Sequence, residues 1–170
     1  MRIALRAPNW LGDAVMALPA MAALRRAFAG DDVSVVGPAS VLAMFQEEHD
    51  VAPVQTRDIA ALRAGNFDRI VLFTNSFGSA WVAKRAGIAE RWGYGGGGRG
   101  ILLTRAVRAP RKPERGHQVD FYRTLARRLV EGDGLDAIDG LDAPPRLSIT
   151  PATRAAASEA LARARVDTSR

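Results

Sequence analysis

Two short segments bring together residue types that could recognise and activate a polar ligand. Pro8-Asn9-Trp10-Leu11-Gly12-Asp13 sits between a short apolar run and a long helical pattern. A glycine there lets the backbone approach a ligand closely, and a carboxylate there can accept a proton from a substrate hydroxyl. Trp10 offers either an apolar wall or a core side chain. Asp13 falls in the first turn of the predicted helix, where an acid also simply complements the helix macrodipole. By spacing alone that structural role is preferred. The helix start lowers the basicity of the carboxylate, so catalysis by Asp13 would rest on positioning and on a second effect such as partial burial. The other segment, Thr74-Asn75-Ser76-Phe77-Gly78-Ser79-Ala80, also follows a strand and opens a helix. Its hydroxyls, amide and backbone N–H groups suit a sugar or phosphate at a helix N-terminus. The structural alternative is a capping turn with Ser76 or Ser79 as the N-cap.

A third group is basic: Arg91-Trp92-Gly93-Tyr94 through Arg99, then Arg105, Arg108, Arg111, Lys112 and Arg115. Guanidinium groups suit phosphate and carboxylate recognition. No helix-turn-helix, zinc knuckle or aromatic RNA-binding motif accompanies them, so nucleic acid is not the expected partner. His117, ahead of a helical pattern, is either a helix anchor or a phosphate contact. No His/Asp/Glu spacing resembles a metal site. The first strand is followed by neither a P-loop nor Gly-x-Gly-x-x-Gly, which disfavours nicotinamide binding.

The elements that must position these residues alternate. Strands are predicted at Arg2–Ala7, Val33–Gly37, Val51–Gln55, Arg69–Phe73, Arg91–Tyr94 and Arg146–Ile149. Helices are predicted at Ala14–Phe28, Ala39–Glu48, Asp58–Ala64 (with Asp58 as N-cap), Ala80–Ala86, Gln118–Val130 and Pro151–Ala164. The strand Arg69–Phe73, continuously apolar after its first residue, is typical of a buried parallel strand. The whole predicts an α/β fold, a parallel sheet with helices on both faces. The four glycines Gly95–Gly98 read as a flexible loop tip. Residues 131–145 read as a surface loop or linker.

The chain has 170 residues, 48% of them hydrophobic and 25% charged, within the range of a globular protein with a sizeable core. Its net charge is +6, carried mostly by arginine, and it has no cysteine. Disulfides and cysteine-ligated metals are thereby excluded. No signal peptide or spanning helix is expected, and the cytoplasm is the expected compartment.

Taken in order, Pro8-x-Trp10-Leu11-Gly12-Asp13, Asn75-Ser76-Phe77-x-Ser79-Ala80, Arg91-x-Gly93-Tyr94 and His117-x-x-x-x-Tyr122 resemble a known set. The chain is similar, over about residues 1–130, to the N-terminal half of bacterial lipopolysaccharide heptosyltransferases. These are the ADP-heptose-dependent glycosyltransferases of family nine, and the motif spacing follows their type II members. The resemblance implies a GT-B fold, two Rossmann-like domains facing across a cleft. Residues 1–150 would be the acceptor-binding domain, and residues 151–170 would lead into a second domain that binds ADP-heptose and is missing here. The implied reaction is inverting transfer of heptose to the phosphorylated lipopolysaccharide inner core, with no cofactor and no obligatory metal. Asp13 takes the position of the family's proposed general base, which reverses the preference from spacing. Trp10, Gly12, Asn75, Ser76, Ser79, Arg99 and His117 take acceptor-binding positions. Gly78 stands where relatives often carry a basic residue, and the four-glycine run replaces polar ones. The 170 residues alone are expected to be inactive. Any contact with the inner membrane is expected to be peripheral, since no amphipathic anchor is evident in the sequence. The alternative reading is a non-catalytic module that binds anionic glycolipid or phosphate through residues 99–115.

Overall fold

The computed structural model describes residues 1–45, 50–53, 58–110, 116–133, 140–146 and 149–164. Among these, six strands form one sheet: β1 (Arg2–Arg6), β2 (Asp32–Gly37), β3 (Asp50–Pro53), β4 (Arg69–Leu72), β5 (Glu90–Tyr94) and β6 (Arg105–Val107). Their order is β3-β2-β1-β4-β5-β6, and every neighbouring pair is parallel. This is the doubly wound order, in which the winding reverses between β1 and β4. The helices are α1 (Leu11–Ala27), α2 (Ala39–Leu42), α3 (Ile59–Ala64), α4 (Phe77–Arg85), α5 (Gln118–Glu131) and α6 (Pro151–Arg163).

Side chains alternate across each strand, and each face builds its own core. On one face Ile3, Leu5, Val33, Val35, Val71 and Phe73 pack with α1 and α5. On the other, Ala4, Val36, Ile70 and Leu72 pack with α3 and α4. Covering helices leave the middle of the central strands no polar face, which explains the apolar run that follows Arg69 in β4. The predicted apolar stripe of α5, comprising Val119, Tyr122, Leu125, Ala126 and Leu129, is buried. Asp58 caps α3 as predicted, accepting from Ala61 N at 2.8 Å.

Four differences from the sequence reading bear on the site. The first helix begins at Leu11 rather than Ala14, so Gly12 and Asp13 lie inside it. α4 begins at Phe77 rather than Ala80, because Ser76 supplies the cap. The glycine run is a defined turn. Gly95 N continues the ladder to Val107 O at 2.9 Å, and Gly97 and Gly98 adopt φ of 61° and 75°. That left-handed pair leads into a short 3-10 turn, Arg99–Leu102, and into β6, neither of which the sequence reading contained. Arg146 and Ile149 belong to no strand, and residues 147–148 lie outside the described residues, as do the ends of the helix predicted to Glu48 and the strand predicted to Gln55.

The amino edge of the sheet is held by charge and aromatic stacking. The Arg69 guanidinium lies 3.7 Å from the Trp92 ring centroid, and that of Arg105 lies 4.1 Å from it. Both arginines pair with Asp133 just beyond α5, at 3.1 and 3.2 Å, and Arg69 also pairs with Glu90 at 2.6 Å. Trp92 therefore links β4, β5, β6 and the end of α5. Trp92→Ala should lower the unfolding free energy by about 3–5 kcal/mol, as for other buried aromatic truncations. Urea denaturation followed by circular dichroism measures it, and a loss below about 1 kcal/mol would refute this role.

Candidate functional site

At the carboxyl edge the reversal of winding sends α1 to one face of the sheet and α4 to the other, opening a crevice where such folds bind ligands. The last ladder bonds there are Phe73 N to Arg6 O at 3.1 Å and Ala7 N to Val36 O at 3.0 Å. The loops that leave β1 and β4 carry the two segments singled out in the sequence.

On the first loop, Trp10 is the N-cap of α1 and offers no side-chain cap. Of the longer helices, α4, α5 and α6 are capped by Ser76, His117 and Thr150. The first-turn N–H groups of α1 therefore lack a side-chain acceptor among the described residues. Trp10 is 77% exposed, so it is no core residue. A Cβ added at Gly12 would meet nothing within 4 Å, so packing does not require a glycine and space is open beside Asp13. Asp13 is half-buried in the first turn, and no hydrogen bond or ion pair engages its carboxylate among the described residues.

The loop is braced from beneath by Arg6. This side chain is buried, and its guanidinium donates to Ala7 O at 3.1 Å and to Asn9 Oδ1 at 2.9 Å. It occupies the space that a Cβ at Gly37 would crowd at 3.2 Å.

On the second loop, Ser76 and Ser79 serve each other. Ser76 Oγ accepts from Ser79 N at 3.2 Å, and Ser79 Oγ donates to Ser76 O at 2.8 Å. Ser79 is buried, so its part is to shape the turn; Ser76 remains exposed. Asn75 is exposed, and its amide makes no hydrogen bond among the described residues. It lines a cleft of about 190 Å³ with Tyr94, Gly96, Ala109, Pro110 and Phe121. That is below the ~300 Å³ of a pocket for a drug-sized ligand, so it has room for only a small group. Tyr94 donates its hydroxyl to Phe121 O at 2.7 Å and so fixes one wall.

Arg99 is fully buried beneath this loop, where it donates to the Thr74 carbonyl. Its Nε and Nη2 and the neighbouring Thr74 Oγ1 are buried without a partner among the described residues. Neither Arg6 nor Arg99 meets a carboxylate among the described residues. Burial pushes both guanidiniums down to about 10. Since the unfolded value is higher, holding these charges costs stability below that pH, and the cost is relieved only as pH rises above it. Arg6 and Leu72 are register partners, and so are Leu72 and Gly93. Arg99 Nη2 would lie 3.4 Å from a Cβ at Gly93. The two cations thus flank Leu72 at the end of β4, on the same face of the sheet.

The remaining candidates are placed differently. His117 is the N-cap of α5, its Nδ1 accepting from Val119 N at 3.3 Å, which leaves Nε2 outward on an exposed side chain. Arg91 binds Leu102 O at 2.7 Å and Ala89 O at 3.0 Å, and Arg105 binds Asp133. The basic stretch is therefore not one solvated patch; Arg111, Lys112 and Arg115 lie outside the described residues. No group of three His, Cys, Asp or Glu side chains that could hold a metal occurs among the described residues. The sequence reading gave no role to Arg6 or Phe121, and it held Tyr94 only as part of the Arg91-x-Gly93-Tyr94 motif. Arg6 left a trace as a cation ending an apolar strand.

Comparison with known proteins assigns this geometry to a lineage. No curated protein sequence matches the chain. Among solved structures it is similar to the Escherichia coli ADP-heptose lps heptosyltransferase II, with 24% identity, a TM-score of 0.72 and coverage of 100% of this chain and 52% of that one. It is also similar to a glycosyl transferase family 9 protein from Veillonella parvula, with 16% identity, a TM-score of 0.73 and coverage of 98% and 50%. A third likeness is to the E. coli heptosyltransferase WaaC, solved with ADP, with 18% identity, a TM-score of 0.63 and coverage of 80% and 48%. The chain thus spans about half the length of these proteins and shares the α/β architecture of GT-B heptosyltransferases over that half. The family model for glycosyltransferase family 9 (heptosyltransferase) matches residues 56–167, well over half of the sequence, and the chain belongs to that family.

Proposed function

We propose that this domain is the acceptor-binding part of an inverting heptosyltransferase, with Asp13 as the general base. The observation that carries this reading is the pair of unengaged polar side chains, Asp13 and Asn75, on adjacent strand ends at the reversal of winding. In the reaction, an acceptor hydroxyl attacks the anomeric carbon of ADP-heptose, the carbon–oxygen bond to ADP breaks, and the hydroxyl proton passes to Asp13. Asp13 contributes by orientation, taking the proton as the attacking oxygen becomes acidic in the transition state. The open space at Gly12 admits the hydroxyl, and Trp10 gives the sugar an apolar face to rest on.

Asn75 and Ser76 suit the acceptor sugar, and the uncapped N–H groups of α1 suit an anionic group. Arg99 supports the loop from below, and its field favours a phosphate above it. His117 Nε2 faces outward at the same edge. Binding of ADP-heptose is assigned to residues beyond this chain, by analogy with the heptosyltransferases that are twice as long. The proposed transfer uses no metal or other cofactor. We place the protein in the cytoplasm, touching the inner membrane peripherally, with the lipopolysaccharide inner core as its partner. The non-catalytic alternative draws its anion affinity from the basic stretch. It is less favoured, because Arg91 and Arg105 are engaged within the fold and it leaves the free Asp13 carboxylate without a role.

Three outcomes are expected. The 170-residue chain should bind a deacylated, phosphorylated inner-core oligosaccharide in calorimetry yet show no turnover of ADP-heptose; brisk turnover would contradict the division of labour. In an enzyme assembled from this domain and the ADP-heptose-binding half of a family 9 heptosyltransferase, Asp13→Ala should lower turnover by more than about 100-fold with an unchanged circular dichroism spectrum. Undiminished turnover removes Asp13 from the mechanism and favours the non-catalytic reading. Arg99→Met should weaken oligosaccharide binding by about tenfold, through loss of its field and of its support for the loop, without lowering the urea midpoint, since it removes a buried charge with unpaired donors. A lower midpoint with unaltered affinity would make Arg99 purely structural.

A further inference from the structure

The outer face of α4 has no role in the site just described. Ser79, Ala80, Val82 and Ala83 turn inward, which leaves Phe77, Trp81, Lys84 and Arg85 outside. These positions follow the i, i+4, i+7, i+8 spacing of one helical stripe. Phe77 is 49% exposed and Trp81 45%, with the Arg85 guanidinium 5.9 Å from the Trp81 ring. The 3-10 turn packed beside α4 adds Ile101, 82% exposed. On its other side α3 adds Arg63, exposed and donating to Arg85 O at 2.9 Å. Neither helix nor the 3-10 turn contains an acidic residue, and no carboxylate pairs with Arg63, Lys84 or Arg85 among the described residues.

Basic residues in the last turn of a helix complement its dipole, which accounts for Lys84 and Arg85 but not for the aromatics. Bulky apolar side chains standing together at a surface mark an interaction site. Aromatics flanked by cations, with no acid among them, match the interface of an anionic bilayer, where rings enter the headgroup layer and cations meet lipid phosphates.

We propose that the α4 face, from Ile101 across Phe77 and Trp81 to Lys84 and Arg85, is a docking surface for an anionic phospholipid bilayer. It supplies the amphipathic element that the sequence alone did not show. The proposal deepens the transferase reading, in that it rests on a lipid-borne acceptor for its purpose, but its physical basis is separate. α4 also begins at Ser76, so a bilayer on this face lies next to the crevice. A lipid-anchored sugar could then enter without leaving the membrane.

The test is co-sedimentation of the 170-residue chain with vesicles of phosphatidylcholine, with and without phosphatidylglycerol, at low and high salt. The chain should bind only the anionic vesicles and release at high salt. Lys84→Gln with Arg85→Gln should reduce partitioning by roughly 30-fold, given the contribution of each cation near an anionic surface. Phe77→Ser with Trp81→Ser should reduce it by roughly tenfold, the scale of two half-exposed rings losing their apolar contact. All four positions are exposed, and circular dichroism checks that the variants remain folded. Deacylated oligosaccharide should bind parent and variants equally, which separates this surface from the crevice. Absence of vesicle binding, or binding indifferent to both variant pairs, overturns the proposal even if the oligosaccharide still binds. A change only in sedimentation coefficient, without vesicle binding, would assign the face to a second copy of the chain instead.

Discussion

The pairing of β1 with β4 is the constraint on which the rest of the molecule depends. It sets side by side two parallel strands whose helices depart to opposite faces. The backbone between their ends is not covered by either helix, and the helix starts are left pointing at the gap. Had β4 paired on the far side of β3, the loop with Asp13 and the loop with Asn75 would sit at distant places on the edge. The two apolar cores, one on each face, hold this pairing in place, since neither face of β1 or β4 can slip register without exposing its side chains to the wrong helices.

The two edges of the sheet use arginine in opposite ways. At the amino edge Arg69 and Arg105 are matched by carboxylates and stacked on a ring. At the carboxyl edge Arg6 and Arg99 are buried with no carboxylate, and their room is made by glycines at positions 37 and 93. A sequence selected for stability alone would replace such cations by apolar groups of similar volume. Their presence beneath the two loops accords with the anion-binding role proposed for the crevice. Under that proposal an arriving phosphate would find positive potential already in place and little rearrangement to drive.

How much of this was legible in the sequence differs by element. The run Arg69–Phe73, the Asp58 cap and the stripe of α5 were readable because each follows from local chemistry: burial on two faces, a carboxylate near free N–H groups, a period of 3.6. The start of α1 was not, because Trp10 is no capping residue and nothing local marks Leu11 as helical. The glycine run read as a floppy tip, for glycine announces freedom but not which conformation the neighbours will impose; here Ala106 and Val107 across the ladder impose one. Arg99 lay in a basic stretch and looked like its solvated neighbours, and burial of an arginine is a property of the assembled sheet. Of the site candidates, Asp13, Asn75 and Ser76 lie at the crevice, Ser76 also capping α4, whereas Ser79 is buried in that turn and His117 caps α5.

The three tryptophans stand in three different surroundings: Trp10 open at the crevice, Trp81 half-covered on α4, and Trp92 enclosed between two guanidiniums. Indole emission depends on the polarity and charge around the ring, so the intrinsic fluorescence of this chain is a sum of three separable colours. One reports on the crevice, one on the outer helix face and one on the integrity of the sheet. The protein therefore carries, without any label, an optical probe for each of the regions its architecture keeps apart.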